Sequence, residues 1–288
     1  LPRGWLLVEG ERIAALGAGD PPAAPGARRV DLAGRVLAPG LIDLHAHGAL
    51  GYDTMDATPT ALREMARFYA RHGVTGYLAA TVTAPLDEIL VALENVAGVM
   101  AEGTGGARLL GAHVEGPYLD RARLGAQDPR HVRPPAPEEY AALLREGVTR
   151  LLTLAPEAPG AAGLIAEAHR RGIVVSAGHT RATYEEMVAA VERGLGHVTH
   201  LFNGMEPLHH RSPGVVGAAL TLPDVTCELI ADGVHVHPAV LALAVRARGV
   251  VGITLVTDAM RGAGMPDGRY TLGGLDVTVV GGEARLPA

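Results

Sequence analysis

No lysine occurs anywhere in this 288-residue sequence, so all 25 of its basic residues are arginines. That absence excludes from the chain a phosphate loop with its essential lysine, Schiff-base chemistry, and a carbamylated-lysine bridge between metals. The single cysteine, Cys227, excludes an intrachain disulfide and a cysteine-ligated zinc site, and suits a reducing, cytoplasmic compartment. Aromatic residues are only 3%, which leaves Ala, Val, Leu and Ile to build the core. No apolar run approaches the ~18 residues of a membrane span, and Leu1 to Gly10 lack the basic-then-apolar layout of a signal peptide. A net charge of −6 argues against a nucleic-acid partner. What is present is globular: 48% hydrophobic and 19% charged residues, with a mean hydropathy of +0.19. At ~150 residues per domain the length suggests two domains, although one α/β barrel commonly fills ~200–250.

Helical patterns repeatedly end in glycine and pass at once into a β-branched or leucine-rich run, at Gly73-Val74, Gly147-Val148, Gly172-Ile173, Gly194-Leu195 and Gly249-Val250. Glycine supplies the left-handed helix cap, and the runs that follow suit buried strands. One helix is legible in detail: Thr58 caps, Pro59 takes the first helical position, and Leu62, Met65, Ala66 and Tyr69 keep helical spacing until Gly73. A second opens with the capping box Thr183 to Glu186 and turns Met187, Val188 and Val191 inward. Eight strands are expected near 41–47, 74–83, 109–115, 151–155, 173–178, 196–200, 226–231 and 253–258. Eight strands alternating with helices predict an α/β fold, a closed (β/α)8 TIM-type barrel, over an open doubly wound sheet. Before it, 4–16 and 28–37 alternate as short antiparallel strands around the Pro21–Pro25 turn; after it, 269–286 reads as a hairpin broken at Gly273-Gly274 and Gly281-Gly282. The expected organisation is a partial small β-sandwich domain over 1–38, the barrel over 39–268, and the hairpin over 269–288.

In such a barrel the reactive groups stand at the C-terminal ends of the strands. The first strand ends in His45-Ala46-His47, two imidazoles on one face, and the third in His113-Val114-Glu115. The fifth ends in His179, the sixth in His200, the seventh runs into Asp232 and His235, and the eighth ends in Asp258. As a set, Glu115, His179 and His200 suit a divalent ion such as zinc or iron(II), with a position left open for water. His45 and His47 form a second ligand pair, or else orient the ligands. His113 stands behind Glu115, and His72, His131, His169 and His197 read as surface or packing residues. The glycine cluster in 102–106 is a loop and no nucleotide cradle, and Cys227 belongs to the core.

The segments 37–48 (LAPGLIDLHAHG), 113–118 (HVEGPY), 177–180 (AGHT), 199–205 (THLFNGM), 231–235 (ADGVH) and 256–259 (VTDA) resemble the metal-dependent amidohydrolases. Within them they are most similar to the N-acetylglucosamine-6-phosphate deacetylases, over nearly the whole chain and in family order. The resemblance implies that Glu115, His179 and His200 hold the principal metal, that His45 and His47 favour a second one, and that Asp258 is the catalytic acid/base. It implies that Ala126 and Gln127 meet the sugar and its N-acetyl group, although some members carry histidine where this chain has Gln127. Asn203, Gly204, Arg211 and His235 match sugar-phosphate contacts, and Asp232 matches the sugar-contacting loop. Members of the family continue past the hairpin with a substrate-contacting turn, a last barrel helix and the remainder of the small β domain. The C-terminal part of that fold is therefore expected to be missing from a sequence that stops at Ala288.

The implied reaction is hydrolysis of N-acetyl-D-glucosamine 6-phosphate to D-glucosamine 6-phosphate and acetate, in amino-sugar catabolism or cell-wall recycling. One or two divalent ions per subunit, zinc foremost, would serve it. The partner is a phosphorylated small molecule, with neither nucleic acid nor membrane. A homodimer is expected, with Arg211 reaching the neighbouring subunit's phosphate. The rival readings are a deacetylase for the galactosamine 6-phosphate epimer, a dihydroorotase or hydantoinase relative, which the missing lysine disfavours, and a non-catalytic barrel.

Overall fold

In the computed structural model, which describes residues 3–287, the chain divides after Pro39 into two units. In the first, β1 (Gly4–Glu9) pairs antiparallel with β2 (Arg12–Ala18). The chain turns between them at Gly10, where φ is +60°, a conformation glycine adopts without penalty. The expectation of further strands over 28–37 is not met. That stretch carries no strand, and Val30, Val36 and Leu37 are exposed. Alternation supplies a face, but a strand also needs a partner for its backbone donors and acceptors; β1 and β2 have each other, and 28–37 pairs with neither. The hairpin consequently turns at Gly10, and Pro21–Pro25 follows it as irregular chain.

The second unit is the barrel. It runs β3 (Leu41–Ala46), a short hairpin of β4 (Gly48–Ala49) and β5 (Tyr52–Asp53), α1 (Pro59–Arg71), β6 (Val74–Ala80), α2 (Leu86–Glu102) and β7 (Arg108–Glu115). It continues through α3 (Pro137–Leu143), β8 (Thr149–Leu154), α4 (Ala161–Arg170), β9 (Val174–Ala177) and α5 (Tyr184–Val191). Then come β10 (Leu195–Val198), α6 (Gly214–Thr221), β11 (Thr226–Ile230), α7 (Pro238–Arg248) and β12 (Ile253–Val256). The eight long strands are parallel and lie in chain order, each connection returning through a helix as parallel strands require. The first and last strands meet at their C-terminal ends, where the Asp258 N–H donates to His45 O at 2.9 Å and the His47 N–H to Ala259 O at 2.8 Å. Closure thus happens at the chemical end of the barrel.

The helices pack as their sequences predict. In α1 the Thr58 hydroxyl caps the Ala61 N–H, and Leu62, Met65, Ala66 and Tyr69 are all buried. Full burial of one such large apolar side chain contributes about 1.5–3 kcal/mol. In α5 the Thr183–Glu186 capping box forms and Met187 is buried, while Val188 and Val191 lie half-buried at its margin. After β12 the chain forms a meander: β13 (Gly268–Leu272), β14 (Leu275–Val280) and β15 (Glu283–Arg285). The second glycine pair, read as a break in one hairpin, is instead a second turn that brings a third strand into the sheet.

Candidate active site

Six side chains converge at the open ends of the strands. His45 lies in β3 and His47 just beyond it; Glu115 ends β7. His179, His200 and Asp258 each stand two residues beyond the last residue of β9, β10 and β12. These three share a left-handed backbone, with φ of +48°, +29° and +49°. For residues other than glycine such conformations cost about 1–3 kcal/mol each and persist where the surroundings enforce them. At two of the three a hydrogen bond holds the backbone: His200 N–H donates to Glu228 Oε2 at 3.0 Å and Asp258 N–H to His45 O at 2.9 Å.

The six form two adjoining clusters. Glu115 Oε1 lies 3.2 Å from both His179 Nε2 and His200 Nε2, which are 3.1 Å from each other. Beside them, His45 Nε2 and His47 Nε2 are 3.1 Å apart and lie 3.4 and 3.2 Å from Asp258 Oδ1. Glu115 joins the two, its Oε1 standing 3.4 Å from His45 Nε2 and its Oε2 3.4 Å from His47 Nε2.

The neighbours of the rings decide where their protons sit. His179 Nδ1 faces the Arg123 carbonyl at 2.9 Å and His200 Nδ1 the Asn203 carbonyl at 3.1 Å. A carbonyl only accepts, so each Nδ1 carries the hydrogen, and in the neutral ring each Nε2 presents a lone pair. Two lone pairs and a carboxylate oxygen then face one another within 3.2 Å, an arrangement that is repulsive unless a cation lies among them. The donor set of imidazole nitrogen and carboxylate oxygen fits a divalent ion of the zinc type. The field of the carboxylates points the same way. Burial disfavours a charged His47, but Asp258 and Glu115 outweigh it and raise its pKa to about 9. Burial also resists ionisation of Glu115 and Asp258, yet His45 chief among the surrounding imidazoles holds both well below the usual carboxylate range.

Gln127 is brought into the same centre. Its Nε2–H donates to Glu115 Oε2 at 2.5 Å while its Oε1 accepts from the Thr83 N–H at 2.7 Å, which fixes the direction of the amide. Ala126, beside it, is half-buried. Asn203 supports the ring of His200 through its backbone. Gly204 has φ +62°, and a Cβ there would stand 3.0 Å from His179 Nδ1, so glycine lets that loop lie against the His179 ring. Arg211, Asp232 and His235 are exposed, and among the described residues no hydrogen bond or ion pair joins them to the six. Asp232 instead accepts from His235 Nδ1 at 2.7 Å and from the Val234 and His235 N–H groups, shaping the turn after β11.

His113 stands behind the ligands as its position suggests. Its Nε2 meets Thr153 Oγ1 at 2.7 Å, and burial, then the neighbouring His45, lowers its pKa to about 3. Sequence reading passes over two carboxylates. Asp43 accepts from Thr257 Oγ1 at 2.6 Å and from the His45 N–H at 3.2 Å, tying β3 to the segment that carries Asp258. Glu228, fully buried in β11, meets His45 Nδ1 at 3.0 Å. A signal existed for both, since acidic residues inside apolar strands are almost never buried unless paired. Of the two roles open to His197 it takes the packing one: it is buried, with Nδ1 2.6 Å from Thr226 Oγ1 and Nε2 3.5 Å from Glu228 Oε1.

The amidohydrolase family model matches residues 36–267. This chain belongs to the amidohydrolase family. It is 48% identical over 239 residues to an N-acetylglucosamine-6-phosphate deacetylase of Vibrio furnissii, covering 82% of this chain and 60% of the relative. An N-acetylgalactosamine-6-phosphate deacetylase of Escherichia coli O157:H7 is 43% identical, with 87% of this chain and 67% of that protein covered. Among solved structures, a mutant N-acetyl-D-glucosamine-6-phosphate deacetylase of Mycobacterium smegmatis, in complex with N-acetyl-D-glucosamine 6-phosphate, superposes with a TM-score of 0.92. That protein is 38% identical, and the match covers 98% of this amidohydrolase and 73% of the other chain.

Proposed function

We propose that this amidohydrolase hydrolyses the amide of N-acetyl-D-glucosamine 6-phosphate, releasing D-glucosamine 6-phosphate and acetate, in a reducing, cytoplasmic setting that suits its one buried thiol. The observation that carries the reading is the convergence of Glu115, His179 and His200 beside Asp258. The names of the relatives over most of the chain supply the substrate class. Glu115, His179 and His200 would hold the principal divalent ion, with His45 and His47 holding a second. Such an ion, zinc by the donor set, supplies Lewis acidity: it polarises a carbonyl and makes water nucleophilic at neutral pH.

The chain's own residues do the rest. Asp258 is the most open of the six, with 22% side-chain exposure against 8% or less for the others, so it is the group a substrate reaches. Its carboxylate takes the proton from the attacking water and returns it to the amine nitrogen as the C–N bond breaks. Ala126 and Gln127 line the place of the N-acetyl group, with the Gln127 amide already held by Glu115 and Thr83. Asn203, Gly204 and His235 would meet the sugar phosphate, and Asp232 the sugar itself.

Removal of metal by a chelator is expected to abolish acetate release, and Zn²⁺ to restore it. Assay of the glucosamine and galactosamine epimers side by side settles which is preferred; a metal-loaded chain releasing acetate from neither would overturn the deacetylase reading and leave the hydantoinase-like and non-catalytic ones.

Arg211 is exposed and its guanidinium has no partner among the described residues. We assign it to the substrate phosphate across a homodimer interface. A hydrogen bond to a charged group contributes roughly 1.5–3 kcal/mol, or about ten- to a hundredfold in affinity. Arg211→Ala should raise KM for the phosphorylated sugar by that order and leave KM for plain N-acetylglucosamine unchanged. Mixed dimers of Arg211→Ala and Asp258→Asn chains should recover activity; formed dimers without recovery would exclude action across the interface.

A further inference from the structure

One buried carboxylate reaches both clusters of the site without belonging to either. Glu228 lies in β11 with no exposed surface. Its Oε2 meets His45 Nδ1 at 3.0 Å and accepts from the backbone N–H of His200 at 3.0 Å. The first contact fixes a tautomer: a carboxylate cannot donate, so His45 Nδ1 bears the hydrogen, and in the neutral ring Nε2 turns its lone pair toward His47 and Asp258. The second holds His200 at φ +29°, the left-handed conformation that aims its ring at Glu115 and His179. The other oxygen, Oε1, faces His197 Nε2 at 3.5 Å.

We infer that Glu228 is a positioning residue that sets His45 and His200, one ligand of each proposed metal subsite, through a single carboxylate oxygen. The inference rests on the two-metal reading above. Groups that orient metal-ligating histidines typically contribute 10- to 100-fold in metal affinity or activity.

Two near-isosteric replacements separate reach from charge. Glu228→Gln keeps an oxygen in place for both His45 and His200 and drops the charge, its amide donating to His197 Nε2. Glu228→Asp keeps the charge and withdraws both oxygens by one methylene. Each chain, stripped of metal, is titrated with Co²⁺ alone, following stoichiometry, affinity and the cobalt absorption spectrum. Positioning predicts that Glu228→Asp binds Co²⁺ about 10- to 100-fold more weakly at both subsites, through His45 at one and His200 at the other, with an altered spectrum, while Glu228→Gln stays close to the unaltered chain. The reverse order would show that charge, not placement, is what Glu228 contributes, and unchanged binding in both would reduce it to packing; either overturns the inference. An unaltered chain that takes up no Co²⁺ refutes the metal centre itself, an outcome separate from any ranking of the two variants.

Discussion

Asp258→Asn is expected to lose about 10²–10⁴ in kcat, the usual contribution of a general acid–base group, while the Glu115/His179/His200 cluster keeps its metal. The amide retains an oxygen where Asp258 Oδ1 faces His45 and His47 at 3.4 and 3.2 Å, so the shape of the site survives. What it loses is the capacity to accept a proton from water and return it to the departing amine. Elemental analysis and substrate affinity should therefore change little as turnover collapses. Near-normal turnover in a folded, metal-loaded Asp258→Asn chain would remove Asp258 from the proton-transfer role.

Glu115→Ala is expected to empty both clusters at once. Its two oxygens lie 3.2–3.4 Å from the Nε2 atoms of His45, His47, His179 and His200, so it is the group the four imidazoles share. Deleting it withdraws a ligand from the principal site and the negative charge that draws a cation toward the second. The loss of activity should exceed the roughly 10- to 100-fold that follows when only an outer partner of a ligand is removed. The comparison is the double variant His45→Asn/His47→Asn, which should lose at most one equivalent of metal. If that variant loses all its metal while Glu115→Ala retains it, the principal and secondary sites have been assigned the wrong way round.

The barrel strands were legible because five of the eight carry the same marker, a glycine after the preceding helix and then a β-branched or leucine-rich run, and the others read as apolar runs of strand length. The candidate ligands were legible for a related reason. Period-two alternation puts His45 with His47 and His113 with Glu115 on one face of a strand, and strand ends are where a barrel gathers its chemistry. These are local properties, carried by short windows of residues.

The segment 28–37 had the local pattern of a strand and forms none, because pairing depends on a neighbour elsewhere in the chain. His197 sits in the strand β10 one place out of phase with the ligands, yet it is buried against Glu228 and Thr226 of β11. Glu228 itself, 183 residues from His45, becomes meaningful only once the barrel closes and brings β11 behind β3. Residue order alone therefore specified the barrel, the kinds of candidate ligand and the strand ends that bear them, since backbone preference and side-chain alternation act over a few residues. Which lone pairs face one another, which tautomers the neutral rings adopt and which carboxylate meets both His45 and His200 were decided by folding. Those features depend on separations of about 3 Å between distant segments, the range over which hydrogen bonds act.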